Sequence, residues 1–336
     1  MLIDPVSTYG RARPDALACF DLATQQGWSY AELDRAVNRM SNWLIAAHGP
    51  GSGARIASLA RNSADLLVAF LGCARAGAIY VPLNWRLTPV ELSMLAEDSG
   101  AICLIRDSEF SVPGFKHDQF DLLEFRDTLS HASPAAPSAS ARRDFEETSL
   151  LLYTSGTSGR PKGVMLSEAN IYWGCTNFIH GNGVSQDSVF LCDMPMFHTA
   201  GLNAAVRTPI LAGGTVLISP GFDPEMTLSR LGDRELGITH YFSVPQMAQA
   251  MWNLPGFNPE VLRGLKVYAT GGAPNPAVQI KRFATAGIPM SDGFGMSETG
   301  SNFGMPVDDM ELVISKAGSC GLPYIAIEVR IVDTDG

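Results

Sequence analysis

A repeating order of helix, glycine and short apolar strand runs through the first third of the chain. Ser29 and Glu32 form a capping box before an amphipathic stretch, which predicts a helix that ends at Gly49. Further helices are predicted to begin at the caps Asn62 and Thr88, and a short apolar run follows each of the three. Because helices that alternate with strands usually connect parallel neighbours, this order predicts a layered α/β fold with largely parallel sheets flanked by helices.

The tract HASPAAPSASA interrupts this order and predicts an exposed loop, because its Ala, Ser and Pro residues show no periodicity. The alternation then resumes, with one helix predicted from Asp223 to Gly237 and another from Pro245. The final stretch IAIEVRIVD is apolar at every second position, which predicts an antiparallel strand. The predicted organisation is a first α/β part (1–130), the loop (131–141), a second α/β part (142–312) and a small antiparallel β portion that starts at 313–336.

Composition narrows the range of partners. The formal net charge is −10 and no run of clustered Lys or Arg is present, which argues against a nucleic-acid partner. The longest apolar run, 66–74, is about half of a membrane span, so no integral membrane segment is expected. The six cysteines lie far apart, and the amino terminus has no signal-peptide pattern. These features predict a cytoplasmic protein.

The segment YTSGTSGRPKGV carries the chemistry of a phosphate site. It lies between two apolar runs, SLLLY and GVML, that predict buried strands. Its glycines allow main-chain N–H groups to converge on an anion, and Lys162 adds a cation on a long stem. Hydroxyl donors alternate along it at Thr154, Ser155, Thr157 and Ser158.

A P-loop is excluded for this segment. That motif needs Gly before its lysine and Ser or Thr after it, whereas Lys162 lies between Pro161 and Gly163. A P-loop also leads from a strand into a helix, and here a second strand is predicted to follow. The ten residues TSGTSGRPKG instead resemble the signature loop of the adenylate-forming, AMP-binding enzymes, which include acyl-CoA synthetases, luciferases and peptide-synthetase adenylation domains.

A second segment, DGFGMSETG, resembles the aromatic-Gly-x-Thr-Glu core motif of the same superfamily. Phe294 takes the aromatic position, often Tyr, and its ring can stack on adenine. Ser297 replaces the usual Thr and keeps the hydroxyl group. Glu298 takes the position of the magnesium-binding glutamate, and Mg²⁺ commonly needs only one or two carboxylates besides phosphate and water.

Two more segments match the family. TGGAP, at 270–274, resembles its Gly-Gly-Ala segment, which lies between the acyl group and the adenine. MPMFHTAGL places His198 where the family has a His or an aromatic residue beside the carboxylate pocket. The resemblance spans nearly the whole chain, and it is strongest to acyl-CoA synthetases.

The resemblance implies an ATP-dependent acid–thiol ligase of the acyl-CoA synthetase type. A carboxylic acid, fatty or aromatic, attacks ATP to give acyl-AMP and pyrophosphate, and coenzyme A then displaces AMP. The implied catalytic residues are His198, Lys162 and Glu298, and the implied Mg²⁺ ligands are Thr154 and Glu298. The implied ATP/AMP contacts are Thr154, Ser155, Gly156, Thr157, Ser158, Gly159, Lys162, Gly272, Ala273, Pro274, Asp292, Gly293, Phe294, Gly295 and Ser297.

Several alternatives stay open at the level of sequence. Family members continue into a Thr-Gly-Asp segment and a small mobile domain, so the chain is expected to be the large N-terminal domain, with slow adenylation by itself. The acceptor is either coenzyme A or a carrier protein. A non-catalytic acyl- or nucleotide-binding module is a third interpretation, and a homodimer is left open.

Overall fold

A computed structural model describes residues 3–137, 144–154 and 161–333. The strands are β1 (Leu17–Asp21), β2 (Gln26–Ser29), β3 (Arg55–Leu59), β4 (Ile79–Pro82), β5 (Cys103–Arg106), β6 (Asp118–Asp121), β7 (Thr148–Thr154), β8 (Lys162–Ser167), β9 (Val189–Cys192), β10 (Thr215–Ile218), β11 (His240–Ser243), β12 (Val267–Thr270), β13 (Met290–Met296), β14 (Gly300–Gly304) and β15 (Leu322–Pro323). The α-helices are α1 (Pro5–Ala12), α2 (Tyr30–His48), α3 (Ala64–Ala76), α4 (Pro89–Ser99), α5 (Leu122–Ser130), α6 (Glu168–Gly181), α7 (Thr208–Ala212), α8 (Pro224–Gly232), α9 (Pro245–Trp252), α10 (Ala277–Thr285) and α11 (Met310–Ser315). A wide π-helical segment, Ala200–Arg207, precedes α7, and a 3₁₀ turn spans Pro259–Val261.

The larger sheet has nine strands in the order β15-β14-β13-β12-β11-β9-β10-β1-β2. Its six central strands, from β13 to β1, run parallel to one another, while β2, β14 and β15 pair antiparallel at the two ends. The carboxyl ends of the parallel strands therefore share one edge. The loops after β9, β11, β12 and β13 leave from that edge, which is where ligands bind in open α/β sheets.

The smaller sheet has six strands in the order β6-β5-β3-β4-β7-β8. Five of them are parallel, and β8 returns antiparallel to β7 as a hairpin. The predicted α/β class, with largely parallel sheets and a small antiparallel portion, is confirmed. The predicted division of the chain near 131–141 stays a prediction, because both sheets draw strands from either side of it.

Helix α3 forms the centre of the core, and all of its residues are buried. Its sequence is apolar all round rather than on one face, which is typical of a helix enclosed by other elements. Helix α2 and strands β1 and β4 pack against it. The capping boxes predicted at Ser29 and Thr88 are present, with Glu32 and Glu91 as the reciprocal partners.

Three local predictions were wrong. Ser63, not Asn62, caps α3, because the Asn62 side chain is used elsewhere. Helix α8 ends at Gly232 rather than at Gly237, and an irregular turn follows. The stretch 325–333 forms no strand, because alternation alone does not supply a hydrogen-bonding neighbour and no described strand pairs with it. Most of its apolar side chains are exposed, as for Ile331, although Ile327 is half-buried.

Asn62 connects the two sheets at their carboxyl edges. It follows β3, and its Nδ2 donates to the Met194 carbonyl at 2.8 Å, while its Oδ1 accepts from the Met196 N–H at 2.8 Å, both in the loop after β9. The side chain is buried, so these bonds have little competition from water. Trp85, after β4, makes an edge contact with Phe197 in the same loop, with the ring centroids 6.4 Å apart. The two carboxyl edges therefore face one another.

A buried ion pair also connects the smaller sheet to helical segments beside the larger sheet. Glu168, the first residue of α6, accepts hydrogen bonds from Arg207 Nη2 at 3.1 Å and from Ser149 Oγ at 2.7 Å. Both charged side chains are less than one-tenth exposed. The pair joins the hairpin strand β7, helix α6 and the π-helical segment, and it leaves neither charge without a partner in the interior.

We predict that Asn62→Ala lowers the free energy of unfolding by about 2–4 kcal/mol, because the Met194 carbonyl and the Met196 N–H lose their buried partner. Urea denaturation measures the loss. The matched control is Asn42→Ala, since Asn42 Nδ2 also bridges two carbonyls, those of Ser133 and Ala135, but near solvent. Equal, small losses in both variants would contradict the proposed bridge.

Candidate active site

A cleft with about 790 Å³ of empty space, part of it open to solvent, lies between α6, the π-helical segment and strands β11 to β14. Five of the predicted nucleotide contacts line it, Gly272 from the TGGAP segment and Gly293, Phe294, Gly295 and Ser297 from DGFGMSETG. The opposite walls are mainly apolar and include Ile171, Phe178, Ala204, Phe242 and Phe303. The cleft thus joins a glycine-rich polar edge to an apolar, largely aromatic interior.

The ends of β12 and β13 are held by a buried polar network. Asp292 Oδ1 accepts from Thr270 Oγ1 at 2.7 Å and from Asn275 Nδ2 at 3.1 Å, and Gln279 Nε2 donates to Asn275 Oδ1 at 3.0 Å. Burial raises the pKa of Asp292, and its hydrogen bonds partly offset that effect. The network fixes the start of the Gly271–Gly272 turn, where Gly272 has a φ of +80° that favours glycine.

The turn that carries Glu298 rests directly on α6. A Cβ atom on Gly300, which has a φ of +68°, would lie 2.9 Å from the Cα of Gly174. Only two glycines allow this contact, so the turn is seated against the helix with almost no freedom to shift. Glu298 itself is exposed and forms no ion pair with any described residue.

The predicted phosphate loop connects β7 and β8, as expected from the sequence. Thr154 pairs with Lys162 across the hairpin, and the Lys162 side chain is exposed. The residues Ser155, Gly156, Thr157, Ser158 and Gly159 lie outside the described part of the chain. Neither Thr154 nor Lys162 lines the cleft, although Leu166, on the same hairpin, does. Because β7 is parallel to β4, the hairpin loop leaves from the carboxyl edge that Asn62 connects to the larger sheet.

His198 lies in the loop after β9. The residue as a whole is exposed, but its ring packs against Phe197, with centroids 4.7 Å apart, and the next residues, Thr199 and Ala200, line the cleft. Desolvation by the surrounding protein, and then the positive charge of Arg86, lower the pKa of His198. The imidazole is therefore neutral at pH 7 and can donate or accept a hydrogen bond.

The remaining predicted residues lie around the cleft without lining it. Ala273 is half-buried and Pro274 is exposed, and Asp292 is covered by its network. In the ranges described above, no group of three or more His, Cys, Asp or Glu residues could hold a metal ion. No helix in the described ranges is long and apolar enough to cross a membrane.

The sequence prediction missed one wall of the cleft, the face of α6. Ile171, Gly174, Cys175 and Phe178 recur there at helical spacing and line the cleft together. That spacing was visible in the sequence, but it is the ordinary pattern of a helix that faces a core. The contact of Gly174 with Gly300 joins residues far apart in sequence, so no local pattern could indicate it.

Comparison with known proteins identifies the family. The profile described as "AMP-binding enzyme" matches residues 7–336, and the chain belongs to this family. Its relatives include a feruloyl-CoA synthase from Amycolatopsis sp., which is 36% identical over 309 residues, covering 92% of this chain and 62% of the relative. The chain thus spans about three fifths of that relative's length.

Solved structures agree with the fold. The o-succinylbenzoate CoA synthetase from Bacillus subtilis, in complex with its acyl-adenylate intermediate, superposes with a TM-score of 0.86 at 26% identity over 98% of this chain and 66% of that one. The N-terminal domain of FACL13 from Mycobacterium tuberculosis superposes with a TM-score of 0.83 at 26% identity, over 96% of this chain and 82% of that domain.

Two buried titratable groups lie at the ends of strands in the larger sheet. Asp193, which directly follows β9, accepts from Thr227 Oγ1 at 2.6 Å and from Tyr241 Oη at 3.1 Å. Burial raises its pKa to about 6 despite these hydrogen bonds. His240, at the start of β11, stacks on Phe190 at 4.8 Å, and burial lowers its pKa to about 4.

These shifts have opposite effects on stability. A raised Asp193 pKa means that the folded state binds its proton more tightly than the unfolded state, so stability falls as pH rises from about 4 to 6. A lowered His240 pKa means the reverse, so stability rises as pH rises from about 4 to 6.5. Each contribution is roughly 3 kcal/mol, and the two largely cancel in the parent chain.

We predict that the free energy of unfolding of Asp193→Asn, minus that of the parent chain, increases as pH rises from 4 to 7, because the variant lacks the contribution that falls with pH. The same difference for His240→Gln is predicted to decrease over this interval. Urea denaturation at pH 4, 5, 6 and 7 measures both differences. Profiles that run parallel to that of the parent chain would show that neither group titrates as its burial requires.

Proposed function

We propose that this chain is the nucleotide- and acid-binding part of an ATP-dependent acid–CoA ligase that forms an acyl adenylate. The observation that carries the proposal is that one cleft is lined by the strand ends of the TGGAP and DGFGMSETG segments and by an apolar interior. A nucleotide at the glycine-rich edge and an acid in the interior would meet beside the loop of His198. The likeness of the chain to a feruloyl-CoA synthase supports the same activity.

The adenine end of the nucleotide is proposed to lie at the carboxyl ends of β12 and β13. Gly272 and Gly293 present bare backbone there, so a planar ring can approach closely. The ring of Phe294 is 45% exposed, which leaves a face free for stacking on a base. Holding one reactant rigidly in this way supplies the orientation that a reaction between two bound molecules needs.

The phosphates are proposed to lie at the hairpin loop. Lys162 is an exposed cation in an acidic protein, and it forms no ion pair with any residue described here. The carboxylate of Glu298, which forms no ion pair with any described residue, and the hydroxyl of Thr154 would supply oxygen ligands to a Mg²⁺ ion that also takes phosphate oxygens. Such an ion, when bound, neutralises phosphate charge as the anionic acid approaches.

His198 is proposed to orient the acid carboxylate. The neutral imidazole can donate one hydrogen bond to the carboxylate without forming a tight ion pair that would hold it back from the phosphorus. Arg86, close enough to lower the His198 pKa, adds a favourable potential for the incoming anion. The carboxylate oxygen then attacks the α-phosphorus, and pyrophosphate leaves.

An aromatic acid suits the cleft better than a fatty chain. Phe178, Phe242 and Phe303 line the interior, and rings pack well on rings in offset or edge arrangements. The structural neighbour from Bacillus subtilis is named for an aromatic acid, o-succinylbenzoate, as is the feruloyl-CoA synthase.

A carrier protein in place of coenzyme A remains the second candidate acceptor. The cytoplasmic location and the homodimer stay predictions.

We predict that Lys162→Ala weakens ATP binding at least about tenfold but changes AMP binding little, because AMP lacks the β- and γ-phosphates. Glu298→Gln is predicted to remove most of the Mg²⁺ dependence of ATP binding. Isothermal titration calorimetry with ATP, AMP and MgCl₂ measures both effects. Lys281→Ala, at an exposed lysine on α10, serves as the matched control.

Two outcomes decide against the proposal. Unchanged ATP affinity in Lys162→Ala would remove the lysine from the phosphate site. Nucleotide binding with no pyrophosphate release from ATP and any tested acid, even when the chain is joined to the remaining part of a relative such as the feruloyl-CoA synthase, would favour the non-catalytic binding module.

A further inference from the structure

The hairpin of β7 and β8 has two different faces, because side chains alternate along each strand. Thr154 pairs with Lys162 and Leu150 pairs with Leu166, and the even numbering of all four residues places them on one face. Leu166 lines the cleft. The side chains of Thr154 and Lys162 therefore leave the hairpin on the same face as a residue of the cleft wall.

The reverse face of the hairpin carries Tyr153. Leu151 and Tyr153 both lie on this face, and they pack in the apolar cluster that includes Leu95 of α4. The cross-strand partner of Tyr153 is Gly163, so Tyr153 supplies the only side chain of that pair. The next pair along is the last one that the structure describes in the hairpin. Tyr153 is thus the last described side chain on the reverse face.

A hydrogen bond connects Tyr153 to α4. The Tyr153 Oη donates to Asp98 Oδ2 at 2.7 Å. Burial, and then this hydrogen bond, raise the pKa of Tyr153, so the hydroxyl keeps its proton and acts as a donor at neutral pH. Asp98 lies in the last turn of α4, a helix that is capped at Thr88 and buries Leu92 and Leu95. The bond therefore attaches the end of the hairpin to a capped and packed helix.

The position of β8 explains why such an attachment would matter. β8 is at the edge of the smaller sheet and pairs with β7 alone. A hairpin at a sheet edge can twist about its long axis, because no second neighbouring strand restrains it. A shift of about 1 Å in a positioning group is enough to weaken its contact with a bound reactant substantially. Restraint from the reverse face therefore bears directly on where Thr154 and Lys162 lie relative to the cleft.

We propose that Tyr153 and Asp98 are positioning residues, which hold Thr154 and Lys162 at the place where they meet the β- and γ-phosphates of ATP. This inference rests on the proposed function and deepens it, because it assigns the geometry of the phosphate site to a contact outside that site. Neither residue touches the nucleotide. The bond orders the hairpin before ATP arrives, which lowers the entropy that binding must remove.

The test compares the affinities of the purified chain for ATP and AMP, measured by calorimetry with MgCl₂ present. Tyr153→Phe removes the hydroxyl group and keeps the ring. We expect ATP to bind about three- to tenfold more weakly and AMP affinity to change little, because AMP lacks the phosphates that the hairpin would hold. Asp98→Ala should give the same loss. Asp98→Asn should lose less, because it keeps an oxygen that accepts a hydrogen bond.

A double variant tests whether the two residues act through one bond. Tyr153→Phe combined with Asp98→Ala should bind ATP no more weakly than either single variant. The matched control is Tyr80→Phe, since the Tyr80 Oη is also 2.7 Å from a partner, Ser58 Oγ, in the same sheet but on β4. This control should keep the parent ratio of ATP to AMP affinity, whatever it does to stability.

The outcomes separate this inference from the function on which it rests. If Lys162→Ala weakens ATP binding but Tyr153→Phe keeps the parent ratio of ATP to AMP affinity, the positioning role is wrong and the proposed phosphate site stands. Losses that add in the double variant, or that fall equally on ATP and AMP, also overturn it. If Lys162→Ala binds ATP normally, the proposed function fails first. Asp98 is exposed, so Asp98→Ala keeps the test available if Tyr153→Phe folds poorly.

Discussion

The bridge formed by Asn62 is the constraint on which the site depends. Parallel strands gather the loops of each sheet at one edge, but nothing in that rule makes the two edges face one another. Asn62 supplies this condition by bonding a loop of the smaller sheet to both the Met194 carbonyl and the Met196 N–H of the larger one. The hairpin with Lys162 leaves from the carboxyl edge of the smaller sheet. The strand ends at Gly272 and Gly293 lie at the carboxyl edge of the larger sheet. A ligand with a phosphate end and a base end can span such a junction.

Backbone atoms form the polar part of the site, and side chains form its apolar part. Bare glycine backbone, held by the network around Asp292 and by the contact of Gly174 with Gly300, forms the polar edge. Packed aromatic side chains form the interior, where dispersion and shape decide what fits. The charged groups proposed for chemistry, Lys162 and Glu298, are on exposed segments. The groups proposed to hold phosphates are thus exposed to water, whereas the groups proposed to position rings are packed.

Much of the fold could be predicted from the sequence, because its helices carry local signals. The capping boxes at Ser29 and Thr88 and the hairpin around Lys162 need only a few neighbouring residues to form. The failures have a different origin. Asn62 fits a helix cap by sequence but bonds a loop more than 130 positions away. The stretch 325–333 has a strand pattern without a described partner, and the α6 wall of the cleft looks like any buried helix face. Long-range contacts decided each of these cases.

The most direct measurement of the central claim is a crystal structure of the chain with ATP, Mg²⁺ and no acid. The account predicts adenine against Gly272 and Phe294, with the triphosphate extended toward the hairpin of Thr154 and Lys162 and the metal beside Glu298. It also predicts that the Asn62 bonds to the loop after β9 are retained. A nucleotide bound away from these strand ends, or phosphates that contact neither the hairpin nor Glu298, would contradict the account.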